Sequence, residues 1–184
     1  MTVNRDWFER WHDHEDFEQR INLCRPVDDE FRDQRFKFWR EAWVAAEFVK
    51  RTTEPGTRIQ LRLTPEGCPD GDFELDDGKG VQPFEIAEAL DGAQRPIWKK
   101  LRGAGETILP ESEDSVSGAM ARKLIPELIL KKAAKNYPDG TGLVIYVNLW
   151  VDFEREGFGG LVPATDYKFS GIWLLASGRA IKLV

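Results

Sequence analysis

The sequence is poor in the residues that most often bind metals and form nucleophilic relays. It has two cysteines and two histidines among 184 residues. Cys24 and Cys68 show no metal-type spacing, and so few cysteines fit a reducing cytoplasm, the expected location. No run approaches the roughly 18–20 apolar residues of a membrane span. The N-terminus, MTVNRDWFERWHDHEDFEQR, is charged throughout and lacks the apolar centre of a secretion signal, so neither export nor a membrane partner is expected. A glycine-rich nucleotide loop, a Ser-His or Cys-His arrangement and an internal repeat are also missing. Positive charge is in deficit: 26 Lys and Arg against 32 Asp and Glu give a net charge of −6. The whole surface is therefore not built to coat nucleic acid, and a nucleic-acid role needs a local basic patch.

What is present is a globular balance, 41% apolar and 32% charged, at the length of one domain able to bury a core. No linker divides it. We read a single α/β (α+β) domain over 1–184, with a helical extension over 1–27, a core over 28–150 and a C-terminal hairpin extension over 151–184.

Trp7, Phe8, Trp11 and Ile21 place one helix before Pro26. His12 and His14, two apart on such a helix, point in different directions and read as surface residues, although His12 with Asp16 is geometrically possible as a pair. A second helix is expected from Asp28 to Thr53. Phe38, Trp39, Ala42, Trp43, Ala46 and Val49 form its apolar stripe, while Val44 and Phe48 lie outside it, so more than one side is covered. Glu47 falls at the edge of the stripe, one turn past Trp43, where a carboxylate is half-buried yet within reach of a sheet.

From Thr57 to Leu63, Ile59, Leu61 and Leu63 alternate with polar residues as in a half-buried strand. The stretch Cys68–Asp91 organises the rest. It reads as strands over Asp72–Leu75 and Val81–Leu90 turning at Asp76-Asp77-Gly78, with an acid on each strand, Asp72 and Glu85. The segment 91–116 reads as a long connection. Its Arg95, Lys99, Lys100 and Arg102 surround Trp98, a combination suited either to a nucleic-acid backbone and base or to a solvated loop. Ser117 can cap a helix running to about Tyr137, interrupted by Pro126, with Leu124, Ile125, Leu128 and Ile129 on its buried face. Lys132 continues that face and Lys135 lies near its edge. Leu143–Trp150 is apolar enough for a central strand, and Ile172–Ala176 with Ala180–Val184 forms a final hairpin turning at Ser177-Gly178.

Two carboxylates on adjacent strands can share one hard divalent ion that keeps several waters. The order αβββαβ, with Asp72 heading the second core strand and Glu85 within the third, resembles the PD-(D/E)XK nuclease superfamily, the restriction-endonuclease-like fold, over Asp28–Trp150. That resemblance implies hydrolysis of phosphodiester bonds in DNA or RNA with Mg²⁺ (or Mn²⁺). It implies Asp72 and Glu85 as metal ligands, the Ile86 carbonyl as a third, and Glu47 as the acid supplied by the first helix. Asp70 is the rival to Asp72 but lies in the turn. The sequence departs from the motif at its lysine position, which is Ala87. Lys132 is the expected substitute, with Lys135 second. The alternative is a catalytically inactive nuclease-fold protein that binds nucleic acid or protein, and a third reading is an unrelated α+β interaction domain.

Overall fold

The computed structural model describes residues 4–23, 37–89, 113–147, 157, 160–164, 167–176 and 179–184, and over 113–120 the backbone alone. These residues form a mixed α/β structure: seven strands lie in one sheet in chain order, accompanied by four described helices.

The expected N-terminal helix is in fact two helices with a strand between them. α1 is Arg5–Phe8, and the side chain of its cap Asn4 accepts the N–H of Asp6 at 3.0 Å. β1 is the short strand His12–Asp13, and α2 spans His14–Leu23. The reason for the break is tertiary. His12 pairs with Leu61, and the N–H of His14 donates to the Ile59 carbonyl at 3.0 Å. The turn also brings Phe8 and Phe17, both fully buried, edge to face at 5.0 Å between centroids. A continuous helix would hold these two rings roughly 13 Å apart along its axis.

α3 is described over Lys37–Thr52, and its expected start at Asp28 lies outside the described residues. Trp39, Ala42, Ala46 and Val49 are buried on the expected stripe, and Val44 and Phe48 are buried beside it, so two sides of the helix are covered as the pattern predicts. β2 (Gln60–Leu63), β3 (Phe73–Asp76) and β4 (Val81–Ala89) form an antiparallel meander. The β3–β4 turn is built by two aspartates: Asp76 accepts the N–H of Gly78 at 2.8 Å and Asp77 that of Lys79 at 2.9 Å.

α4 (Glu113–Ala133) connects β4 to β5 (Gly142–Val147), which runs parallel to β4. It starts upstream of Ser117, which therefore lies inside the helix, and it ends before Tyr137. Pro126 is accommodated in its interior. β6 (Gly171–Ala176) continues the sheet parallel to β5, and β7 (Arg179–Lys182) returns antiparallel, so the C-terminal hairpin belongs to the same sheet. Its turn at Ser177-Gly178, the Trp98 loop with its basic neighbours, Cys24 and the stretch 148–150 lie outside the described residues. No described helix is long and apolar enough to cross a membrane.

Each sheet face carries its own core. On the α3 side, Phe73 and Phe84 stack at 5.0 Å with planes 10° apart, and Phe48 packs on both. Gly142 makes this possible, because a Cβ there would lie 2.5 Å from the Phe84 ring. On the other side, Ile125 and Ile129 of α4 pack with Ala87, Leu143, Ile145 and Ile172.

Candidate active site

The site arises because β4 outruns β3. β3 pairs with residues 81–84 of β4 and stops, whereas β5 stays with β4 through Ala89. Past Phe84 no described strand continues along the β3-side edge of β4, and Ile86 is the next residue whose backbone groups point there. Two side chains meet them. Asp72 Oδ2 accepts the Ile86 N–H at 2.8 Å, and Lys132 Nζ donates to the Ile86 carbonyl at 2.9 Å. Lys132 also donates to Glu85 Oε1 in an ion pair whose carboxylate partner is buried and whose lysine is half-buried.

Asp72 is fixed by its own backbone. Its N–H donates to the Phe84 carbonyl at 2.8 Å, and its carbonyl accepts the Thr64 N–H at 3.1 Å. The buried Thr64 hydroxyl donates to the Gly71 carbonyl. Gly71 is required at this point: its φ is +103°, and a Cβ would lie 2.5 Å from the Phe84 carbonyl oxygen.

Lys132 reaches the site because it lies in line with the buried stripe Ala121, Ile125 and Ile129 of α4. That helix packs on Ala87 and Ala89, whose small side chains leave room for it beside β4. Alternation along β4 puts residue 87 on the same face as Glu85. An ammonium is thus delivered to that face from the facing helix instead of from the strand.

Asp72, Glu85 and Lys132 line one cavity of about 510 Å³, together with Glu41 of α3 and Tyr137 from the turn after α4. Burial pushes the Asp72 carboxyl up to about 6, helped by the nearby Glu85 and Glu41 carboxylates and opposed by the Ile86 N–H and Lys132. Tyr137 is pushed well above the ordinary phenol range, first by burial and then by the Glu85 charge. Its hydroxyl is buried and faces Glu85 without a hydrogen bond of normal geometry. Lys37, which donates to Glu41 at 3.0 Å, is held above the usual ammonium range by that carboxylate.

Of the residues singled out in the sequence, Asp72, Glu85 and Lys132 converge, and Lys135 lines the same cavity. Glu47 does not join them. It pairs with Arg51 one turn along α3 and lies outside the cavity lining. The acid that α3 contributes is Glu41, 8% exposed. Six residues of helix separate the two by about 240° of rotation and roughly 9 Å of rise, so they cannot serve the same spot. A signal for Glu41 was present: it is in helical line with Val44 and Phe48, the apolar residues outside the main stripe. Tyr137 and Thr64 carry no comparable signal. Asp70 accepts from the Cys68 thiol at 3.1 Å and is outside the lining. The histidines make backbone contacts, His12 to the Trp7 carbonyl at 2.7 Å and His14 to that of Ala46 at 3.1 Å.

Among the described residues, no three His, Cys, Asp or Glu side chains form a ready-made metal cluster. The donor set near Ile86 is the pair Asp72 and Glu85. Oxygen-only donors that repel one another in a half-buried cavity fit a hard divalent ion that keeps several of its waters. Comparison of the chain with protein-family models, with curated proteins and with solved structures found no match.

Proposed function

We propose that the protein is a metal-dependent nuclease that hydrolyses phosphodiester bonds in nucleic acid in the cytoplasm. The observation that carries this reading is the convergence of Asp72, Glu85 and Lys132 on the backbone of Ile86 at one cavity. The succession α3, β2, β3, β4, α4, β5, an antiparallel meander followed by a helical crossover to a parallel strand, supports a restriction-endonuclease-like core.

In this reading Asp72 and Glu85 would hold Mg²⁺ or Mn²⁺. Bound there, the ion would supply Lewis acidity toward a phosphate oxygen and a water. The Ile86 N–H orients Asp72. Lys132 neutralises Glu85 and presents an ammonium to the developing charge on the phosphate, the task of the lysine that Ala87 lacks. Glu41 replaces Glu47 as the acid from the first core helix. The Ile86 carbonyl, implied as a third ligand, is engaged by Lys132 here. Ala87 favours a second reading, an inactive binding module of the same fold, and the Lys132–Glu85 pair favours the active one.

Labelled single-stranded and duplex DNA and RNA incubated with Mg²⁺, Mn²⁺ or chelator separate the two. Cleavage that requires the ion and is lost in Glu85→Ala is the expected result. Binding with no cleavage under either ion would leave only the binding module.

A further inference from the structure

The same cavity has a second wall that the acids and Lys132 do not use. Trp43 of α3 and Tyr146 of β5 line it, half-buried, in a T-shaped pair with centroids 5.3 Å apart and planes at 73°. Lys37, Arg40 and Lys135 line the same cavity. The Tyr146 hydroxyl, like any phenol, is a protonated donor at neutral pH, and burial and Glu88 push it up further, to about 12.

We propose that this wall is a base-stacking subsite, and that the nucleic acid it takes is a single strand with an unstacked nucleotide beside the scissile phosphate. This rests on the nuclease reading of the acids. An aromatic wall offers a π-face to any base, worth about 1–3 kcal/mol per stacked base. A base inside a duplex has both of its faces covered by neighbours, so it meets such a wall only after leaving the stack. At about 510 Å³ the cavity falls within the roughly 300–1,000 Å³ of small-ligand sites, room for a nucleotide and too small for a continuous duplex. Lys37, Arg40 and Lys135 of the same lining suit a sugar–phosphate backbone entering the cavity. The lining sets Lys37, Arg40, Lys132 and Lys135 against Glu41, Asp72, Glu85 and Glu88, so in a chain of net charge −6 the phosphates of a strand meet local cations in the pocket that a duplex spread across the surface would not.

The test measures binding by fluorescence anisotropy in Mg²⁺. The probes are a fluorescein-labelled phosphorothioate oligothymidylate, which resists cleavage, and a phosphorothioate hairpin duplex of matched length. The wild-type chain should bind the single strand at least tenfold more tightly. Trp43→Leu, which keeps apolar bulk and removes the large π-face, should weaken single-strand binding about tenfold and leave duplex binding unchanged. Trp43→Phe should retain the preference, and Tyr146→Leu provides an independent loss should Trp43→Leu not fold. Equal affinity for the two probes, unchanged binding in both leucine variants, or no binding of either probe overturns the subsite. Hydrolysis of ordinary oligonucleotides is scored separately. Metal-dependent cleavage without a single-strand preference rejects the subsite and leaves the nuclease reading intact. Trp43-dependent strand binding without cleavage supports the subsite and rejects hydrolysis.

Discussion

The ammonium of Lys132 lies 2.9 Å from the carbonyl oxygen of Ile86, the residue whose N–H is held by Asp72 at 2.8 Å. One peptide segment of β4 thus ties a helix lysine to a loop aspartate, at the point where the sheet loses β3. The backbone groups that β3 would have paired are met instead by the two side chains with the most chemistry to offer.

Removing the lysine leaves a buried carboxylate alone. The side chains of Lys132 and Glu85 are 16% and 9% exposed, so Lys132→Met should cost roughly 3 kcal/mol in chemical denaturation. Adding Glu85→Gln to it should recover most of that loss, because the uncompensated charge goes too. Equal destabilisation by the single and double variants would contradict the pair.

Asp72 has the opposite electrostatic sign. Its carboxyl is pushed up to about 6 in the folded chain from an ordinary 3.8, so between those values the folded chain holds more protons than the unfolded one. This residue therefore lowers stability as pH rises from about 4 to 6, and the loss persists above that. Asp72→Asn, which keeps an acceptor for the Ile86 N–H, should raise Tm at pH 8 and give no gain at pH 4. On the proposed nuclease reading, cleavage should be lost in this variant at every pH. A Tm gain that does not depend on pH would point to a cause other than this carboxyl.

Gly71 sets where Asp72 can stand. With φ at +103° and the Phe84 carbonyl oxygen only 2.5 Å from where a Cβ would sit, Gly71→Ala should destabilise by about 2 kcal/mol or more and abolish cleavage. Gly67→Ala is the control. Its φ is +82° with nothing within 4 Å of the added carbon, so about 1 kcal/mol of backbone strain is the whole expected effect.

The helix acid is decided by a pair of isosteric changes. Glu41→Gln removes the carboxylate that α3 places in the cavity, and it should lower cleavage by tenfold or more. Glu47→Gln alters a half-buried pair with Arg51 outside the cavity and should leave the cleavage rate as it is. The reverse ranking would restore Glu47 to the site.

Much of this site was readable from residue order. The alternation of β2, the aspartate turn after β3 and the line from Ile129 to Lys132 are all local patterns, and beside them stand Asp72, one residue before β3 and not on it as expected, and Glu85 on β4. Three features were not. The N-terminal break at β1 depends on pairing with Leu61 and on the Phe8–Phe17 contact, both of which are remote in sequence. The notch depends on where β3 stops, which Gly71 and Asp72 decide through their contacts with Phe84. Choosing Glu41 over Glu47 requires knowing which of two apolar stripes of α3 faces that notch. Both stripes are buried, and sequence periodicity does not rank them.

The central claim is that Asp72 and Glu85 together hold a divalent ion in this cavity. Calorimetric titration of the purified chain with Mn²⁺ tests it most directly, alongside Asp72→Asn and Glu85→Gln. One ion per chain in the wild type, with binding lost in both variants while their folds are retained, is the predicted result. Absence of binding in the wild type, or undiminished binding in both variants, would contradict it.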